Sequence, residues 1–553
     1  MRIEFEVGHL VPATVIAMMV AAPAGAAQDQ PAPGRYEELV ALFADWREFE
    51  QPPMRAGAPD YTAESFARRH QKLRTYQQRL AAMRPGRWPV EQQVDYELLR
   101  AEMNGMDFYI RVLQPWARDP AYYATVMTAQ SDTPAHEGPT HHQVIELWTY
   151  SFPLSVESEA RLAAGLSVIP PLLKQARANL TGNARDLWVT GISTARGQVE
   201  ALDALAKQTV ASGKDLRRAV RAAREAGAQF VAWLEEQAPS KTGPSGIGKE
   251  AYTWSLRNVH LVPMSWEEEV DLLKRELARS HAALNLEEER NRDLPQLPVI
   301  SNPEEYERRA NHAVTRFIAF LRDRNMFPMR DYMDPALRAH MGQYTPVETR
   351  NFFAIATHYE PLTLYTHFYH WWDLAQMRDD PHASPIRRTA LLYNIWDTRA
   401  EGMATAMEEF MLHAGLYDDT PRTREIVWIM LAQRAARGLA SLHAHANLSD
   451  IQQAKDFQVR WTPRGWMRPD LDLLHSEQQL YLRQPGYGSS YVTGKHLLDQ
   501  LIKDRADQIG GGFTMRRFFE EVNGAGMIPV SLIRWQMTGL DDEIRALRSP
   551  TGQ

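Results

Sequence analysis

Residues 90–114, VEQQVDYELLRAEMNGMDFYIRVLQ, decide the fold class. Tyr96, Leu99, Met103, Met106 and Tyr109 recur at three- and four-residue spacing, with no Pro and no period-two alternation between them. That spacing lays an apolar stripe along one α-helix and marks these five as core candidates. The same signature extends outward in both directions. On the N-terminal side, RYEELVALFADWREFEQ puts Leu39, Leu42, Phe43 and Trp46 on one face, and a second helix over 63–83 starts from a Thr62 cap with Glu64 in its first turn.

On the C-terminal side, two or three helices are expected between Ser155 and about Lys207, with a break at Pro170-Pro171. Residues 215–236 form a helix whose Arg217, Arg218, Arg221 and Arg224 make a solvated basic face. Ser265-Trp266-Glu267-Glu268 is a capping box that opens a helix to about Glu288. Further helices are expected over 303–324, 346–355, 422–446, 495–506, 515–524 and 529–537. No sustained β alternation, fixed-period repeat or flexible linker interrupts the pattern. The chain is therefore expected to be all-α, one large multi-helical domain.

Bulk properties narrow the function classes. The 553 residues carry 44% hydrophobic and 24% charged side chains, the balance of a folded protein. A net charge of −7 gives no support for nucleic-acid binding. There is no Cys, which excludes disulfides, thiolate nucleophiles and Cys-rich zinc sites. Near the N-terminus, Arg2, the apolar run VPATVIAMMVAA and small residues at Ala24 and Ala26 resemble an export signal. Residues 1–26 are expected to be a signal peptide and 27–553 the mature domain, periplasmic in a Gram-negative cell. After cleavage no membrane association is expected. Oligomerisation is left open.

Two local motifs fail as chemistry. His136-Glu137 and His141-His142 superficially resemble a zinc-peptidase pattern, but Pro134, Gly138 and Pro139 break the helix that pattern requires. The loop KTGPSGIGKEAYTW lacks P-loop spacing.

The chemistry is expected between Thr357 and Glu409. THYEPLTLYTHFYHWWDLAQM is followed by NIWDTRAEGMATAMEEFMLHAG, which crowds His358, Glu360, His367, His370, Asp373, Glu401, Glu408 and His413 among aromatics. Ionisable groups beside Trp and Tyr are desolvated, and desolvation shifts pKa values. Glu401 and Glu408, seven apart, share one helix face, as do His367 and His370, three apart. Arg434, Arg437, His443 and His445 lie on the next helix, and Tyr487, Tyr491 and Lys495 follow.

The ordered segments VDYELLRAEM, WARDPAYY, WTYSFPLSVESEARLAAGLSVIPPLL, IGKEAYTWSLR, AEGMATAMEE, LAQRAARGLASLHAH, QPGYGSSYVTGKHLL and FTMRRFFEEVNGAGMIPVSLI resemble the bacterial domain-of-unknown-function 885 family. Its members look like distant relatives of helical zinc carboxypeptidases. The family signature His-Glu-x-x-Pro-Gly-His-His-x-Gln corresponds to THFYHWWDLAQ. His367 and Gln376 are kept, whereas Phe368 replaces the Glu, Trp371-Trp372 the Pro-Gly, and Asp373 the next His. The acidic motif Glu-Gly-Trp-Ala-x-x-x-Glu corresponds to Glu401-Gly402-Met403-Ala404 and Glu408, and Tyr491 falls in the family's Ser-Tyr-x-x-Gly segment.

The resemblance implies a single divalent metal, zinc, held by His367, Asp373 and Glu401, or no cofactor at all. At about 100° per residue, 367 and 373 lie some 120° apart on a helix, while His370 shares the face of His367. Phe368 cannot take a proton from a metal-bound water. The expected function is therefore a non-hydrolytic lyase or isomerase acting on an aromatic or phenolic small molecule, by proton abstraction and elimination or retro-aldol cleavage. His367, His370, Glu401, Glu408, Arg437 and Tyr491 are the catalytic candidates. Tyr365, Tyr369, Trp371, Trp372, Trp396, His443, Tyr487 and Lys495 are the substrate-binding candidates. The alternatives are a metallocarboxypeptidase-like hydrolase with a rearranged site and an inactive protein that binds peptides or aromatics.

Overall fold

The helix expected from residues 90–114 spans Val90–Phe108 and continues through one wider turn over Tyr109–Leu113. Leu99, Met103, Met106 and Tyr109 are buried, and Tyr96 is half-buried at the edge of the core. The computed structural model describes residues 35–134, 144–393 and 395–549. The export signal and the His136–His142 loop lie outside the described residues.

Among the described residues the fold is all-α, one large helical domain. Extended pairing is confined to two pairs of two-residue strands, Met54–Arg55 with Ala58–Pro59 and Val126–Met127 with Ile145–Glu146. Local sequence signals set many helix starts. Thr62 caps Ala63–Ala82 by accepting from the Ser65 amide. Ser265 and Glu268 form both halves of a capping box on Trp266–Arg290. The break expected at Pro170-Pro171 falls at residues 167–168: Val156–Leu166 ends before it, and the two prolines sit in the first turn of Ile169–Asn179, where proline is tolerated.

Three expectations shift. The helix expected over 346–355 is a short 3₁₀ turn at Val347–Thr349 followed by Phe352–Tyr359, because Asn351 caps the later start. The last long helix begins at Tyr487, not 495. Several helices were not expected, among them Met333–Arg338, Ile451–Trp461, Asp472–Arg483 and Asp542–Arg548, and the expected loop KTGPSGIGKEAYTW ends as the helix Lys249–Asn258.

The centre is built from three helices: the Glu401 helix (Asp397–Ala414), the arginine helix (Thr423–His445) and the tyrosine helix (Tyr487–Ile509). Trp266–Arg290 packs along the outside of the arginine helix. In the arginine helix only Arg424 and His443 escape burial, the mark of a helix enclosed on all sides.

Glycines permit this enclosure. A Cβ on Gly402 would lie 2.5 Å from the Gly494 backbone, and one on Gly494 only 2.1 Å from the Thr398 carbonyl oxygen. A Cβ on Gly438 would meet Leu273 at 2.5 Å and the Gly488 oxygen at 2.9 Å. The tyrosine helix thus touches both neighbours backbone to backbone, which no larger residue allows. These crossings bring Glu401, Arg434, Arg437, Tyr487 and Tyr491 together from segments distant in sequence.

Gly494→Ala is expected to lower stability by about 3 kcal/mol. Gly197→Ala, where a Cβ meets nothing within 4 Å, should raise it by up to about 1 kcal/mol. Thermal or urea unfolding of the two variants checks the contrast, and equal effects would refute the crossing as a packing constraint.

Candidate active site

The 357–379 stretch is not one helix. Phe352–Tyr359 and Pro361–Tyr365 are followed by a turn at 366–368, and Tyr369–Asp379 resumes. His367 therefore sits in the turn and His370 in the first turn of the helix, with ring centroids 5.1 Å apart.

Each histidine meets a carboxylate on the Glu401 helix. His370 Nε2 lies 3.1 Å from Glu401 Oε2, and Tyr487 donates its hydroxyl to Glu401 Oε1. His367 Nδ1 lies 3.0 Å from Glu408 Oε1. Arg434 Nη2 donates to both, at 3.1 Å and 2.6 Å. The guanidinium therefore fixes His367 Nδ1 as an acceptor. Arg437, one turn on, donates through Nη1 to Glu477 Oε1 at 3.0 Å and lies 3.8 Å over the Tyr491 ring. Tyr491 is nearly parallel to His367 at 6.3 Å, and Tyr481, Tyr487 and Tyr491 form a small aromatic cluster of their own.

The groups are almost dry, with His370, Glu401, Glu408, Arg434 and Arg437 no more than 3% exposed. Burial is the largest influence on each group, and neighbouring charges decide which way the net shift runs. Burial pushes the Glu408 carboxyl up to about 8, with Arg434 opposing. Burial and the Arg434 charge hold His367 well below its ordinary range. Burial would also lower His370, but the Glu401 charge overrides it and raises the imidazole to about 9. Burial pushes Glu401 up, but the charge and hydrogen bond of His370, with the Tyr487 hydroxyl and Arg437, together hold it below its usual value. The two histidines are thus driven in opposite directions, a separation that lets one be charged while the other is neutral.

Several candidates lie elsewhere. Asp373 is bound by both Nη atoms of Arg399, at 3.1 and 3.0 Å, and takes no part in a donor set with His367 and Glu401. Four aromatics expected to bind substrate are core side chains with their polar atoms used. Tyr365 donates to the Met341 carbonyl, Tyr369 to Asn523, Trp372 to the Met333 carbonyl and Trp396 to the Leu391 carbonyl. Trp371 stacks on His340 at 3.4 Å. His443 stands among Trp266 and Phe457 at the half-exposed edge of the arginine helix. Lys495 pairs with Glu409 and Asp499, one turn beyond Tyr491. His358 caps its own helix on the Ala354 carbonyl, and Glu360 caps the next through the Leu362 amide.

Other groups join the site without having been singled out. Arg434 bridges it, Glu477 anchors Arg437, and Asp132 enters from the 131–134 loop, near enough for its charge to act on His370. Asp397 precedes Glu401 by one turn and has no hydrogen-bond partner for either carboxylate oxygen among the described residues. Its place one turn before Glu401 was the available signal. Asp132 had none, being 235 positions from His367 in the chain (367 − 132).

The donor set that could hold a divalent ion is His367, His370 and Glu401, whose ligand atoms lie within 4.8 Å of one another. Three N/O ligands suit a catalytic zinc site. The fit is incomplete, because Arg434 already donates to His367 Nδ1 and His370 Nδ1 has no acceptor behind it to orient the ring.

Residues 52–537 match the family described as "Bacterial protein of unknown function (DUF885)", and the chain belongs to that family. Two solved structures share the fold. "A putative lipoprotein of unknown function" from Shewanella oneidensis superposes with a TM-score of 0.67 at 14% identity, over 91% of this chain and 100% of that one. "The putative lipoprotein from Colwellia psychrerythraea" gives 0.65 at 13% identity, over 91% and 98%. No curated protein matches the chain. No described helix is long and apolar enough to cross a membrane.

The shifts set a pH dependence. His370, raised to about 9, contributes stability fully present below its unfolded pKa and lost as pH rises through about 9. Glu408, raised to about 8, ionises more readily unfolded, so it too lowers stability as pH rises from about 4.5 to 8. The melting temperature should therefore fall between pH 6.5 and 9, and Glu401→Gln should flatten that fall by removing the charge that raises His370. A wild-type profile flat across this window would contradict the assignment.

Proposed function

We propose that this chain is a lyase or isomerase that uses the His370–Glu401 pair for acid/base chemistry on a small aromatic molecule. One observation carries the reading: Glu401 holds His370 Nε2, Tyr487 holds Glu401, and the remaining His370 nitrogen, Nδ1, is buried without a hydrogen-bond partner among the described residues. A carboxylate on one imidazole nitrogen fixes the ring and stabilises its charge, which leaves the other nitrogen to exchange a proton with a substrate. Phe368, next to His367, offers no carboxylate to activate a water, which favours bond cleavage without hydrolysis.

In the proposed reaction, the deprotonated form of His370, whose share grows as pH approaches about 9, takes a proton from a substrate hydroxyl or carbon through Nδ1. The electron pair released forms a new π bond as the neighbouring C–C or C–O bond breaks. The proton returns from His370 to the departing fragment or its carbanion, so no oxidant or reductant is needed. Glu401 and Tyr487 act as positioning residues. Arg437 and Tyr491 stand where developing negative charge would be stabilised. An exported, periplasmic location belongs to the same proposal. The signal-like N-terminus supports it, and the fold is shared with two proteins titled as lipoproteins. Without a Cys this chain has no residue for a thioether-linked lipid.

A second reading is favoured by the three-ligand cluster: a metal-dependent hydrolase. His367, His370 and Glu401 would hold the ion, which when bound would polarise a substrate oxygen or acidify a water.

Metal analysis of the purified protein, with turnover on a panel of phenolic and aromatic substrates, separates the two. The lyase reading expects activity that survives chelation, with His370→Ala and Glu401→Gln each reducing kcat by at least about 100-fold. Stoichiometric zinc, with activity lost on chelation and restored by zinc, would replace it with the hydrolase.

A further inference from the structure

Arg434 and Arg437 are 0% and 3% exposed, one turn apart on one helix. Arginine is seldom buried this completely unless paired, and its guanidinium is best matched by a planar carboxylate engaged through two nitrogens. Elsewhere this chain uses that match. Arg399 grips both oxygens of Asp373 through its two Nη atoms, and Arg279 grips both oxygens of Glu409 in the same way.

The two site arginines do not, and although Arg399 Nε and Arg69 Nε and Nη1 are also buried and unmatched, Arg434 and Arg437 stand one turn apart beside an unmatched histidine nitrogen. Arg434 serves Glu408 and His367 through Nη2 alone, leaving Nε and Nη1 buried with no hydrogen bond among the described residues. Arg437 reaches Glu477 through Nη1, and its Nε is likewise buried and unmatched. His370 Nδ1 is a fourth unmatched nitrogen in the same cluster. A buried donor without an acceptor forfeits its hydration with nothing in return, the more so when charged. Three such donors on two neighbouring cations, beside the free nitrogen of the acid/base histidine, describe a place for an acceptor that arrives with the ligand. The Tyr481, Tyr487 and Tyr491 rings stand alongside, with Arg437 lying over two of them, at 5.6 Å from Tyr481 and 3.8 Å from Tyr491.

We propose that Arg434 and Arg437 bind a carboxylate of the substrate, so that the ligand class of this site is an aromatic carboxylate, its ring against the three tyrosines and its acid on the free guanidinium edges. This rests on the reading of the cluster as the site of an aromatic substrate.

The test is equilibrium binding to the full chain by calorimetry, with benzoate and its neutral isostere benzamide as probes. Benzoate should bind at least tenfold more tightly than benzamide. Arg434→Met and Arg437→Met should each cut benzoate affinity at least tenfold, and by more than they cut benzamide affinity, so that the preference for benzoate narrows. Should either methionine variant lose its cooperative melt, Arg434→Lys and Arg437→Lys take its place. They keep the charge but lose the fork, and at least a threefold loss for benzoate is expected. No preference for benzoate, including failure of both probes to bind, or unchanged benzoate affinity in folded variants, would overturn the proposal. Because no turnover is measured, benzoate binding without lyase activity would uphold this site and remove the reaction. Turnover of neutral aromatics with no benzoate preference would do the reverse.

Discussion

The backbone contact between Gly402 and Gly494 is the constraint on which the rest of the structure depends. Helices normally pack 8–10 Å apart because side chains keep them there. Here the tyrosine helix meets the Glu401 helix at one glycine pair and the arginine helix at another, Gly438 with Gly488. Two close crossings on one rod place three helices within hydrogen-bond reach. Tyr487 can then hold Glu401, and Arg437 can lie over Tyr491. The Glu401–Gly402 neighbours are therefore a single device, in which the missing side chain at 402 brings the carboxylate at 401 to its partners.

The electrostatics follow from this enclosure. Three glutamates (Glu401, Glu408, Glu477), two histidines and two arginines share a space almost free of water, so each ionisation state is set by its nearest opposite rather than by solvent. His370 gains charge from Glu401 while His367, against Arg434, is denied it. Separating two like groups in this way needs only that one faces an anion and the other a cation. The interruption at 366–368 provides that, turning His367 towards Glu408 and Arg434 while His370 faces Glu401.

Much of the architecture was legible in the residues. Amphipathic spacing, the Thr62 cap and the Ser265–Glu268 box located helices to within a residue or two, because these signals are local. The family was legible from the order of its segments. The site was legible in part. Glu401, His370, Arg437 and Tyr491 do come together, but Asp373 and five of the aromatic candidates, Tyr365, Tyr369, Trp371, Trp372 and Trp396, do not. Whether Trp372 lines a pocket or fills the core depends on Phe317 and Phe327, which are remote in sequence. Arg399 captures Asp373 from another helix for the same reason. The late start assigned to the tyrosine helix has a different origin: its first turn, YGSS, is poor in helix-favouring residues and is held by packing against Ser441 and Tyr481.

The glycine crossings also bear on how such a chain can change over generations. A site built on loops adapts by lengthening or exchanging them. This one hangs from backbone contacts that leave no room for a methyl group, so its inner geometry is close to immutable. New specificity would have to come from side chains that face the cluster without supporting it, such as Asp132 on its loop or Asp397 at the helix start, while the three helices keep their spacing. Relatives only 13–14% identical still share the fold over most of their length.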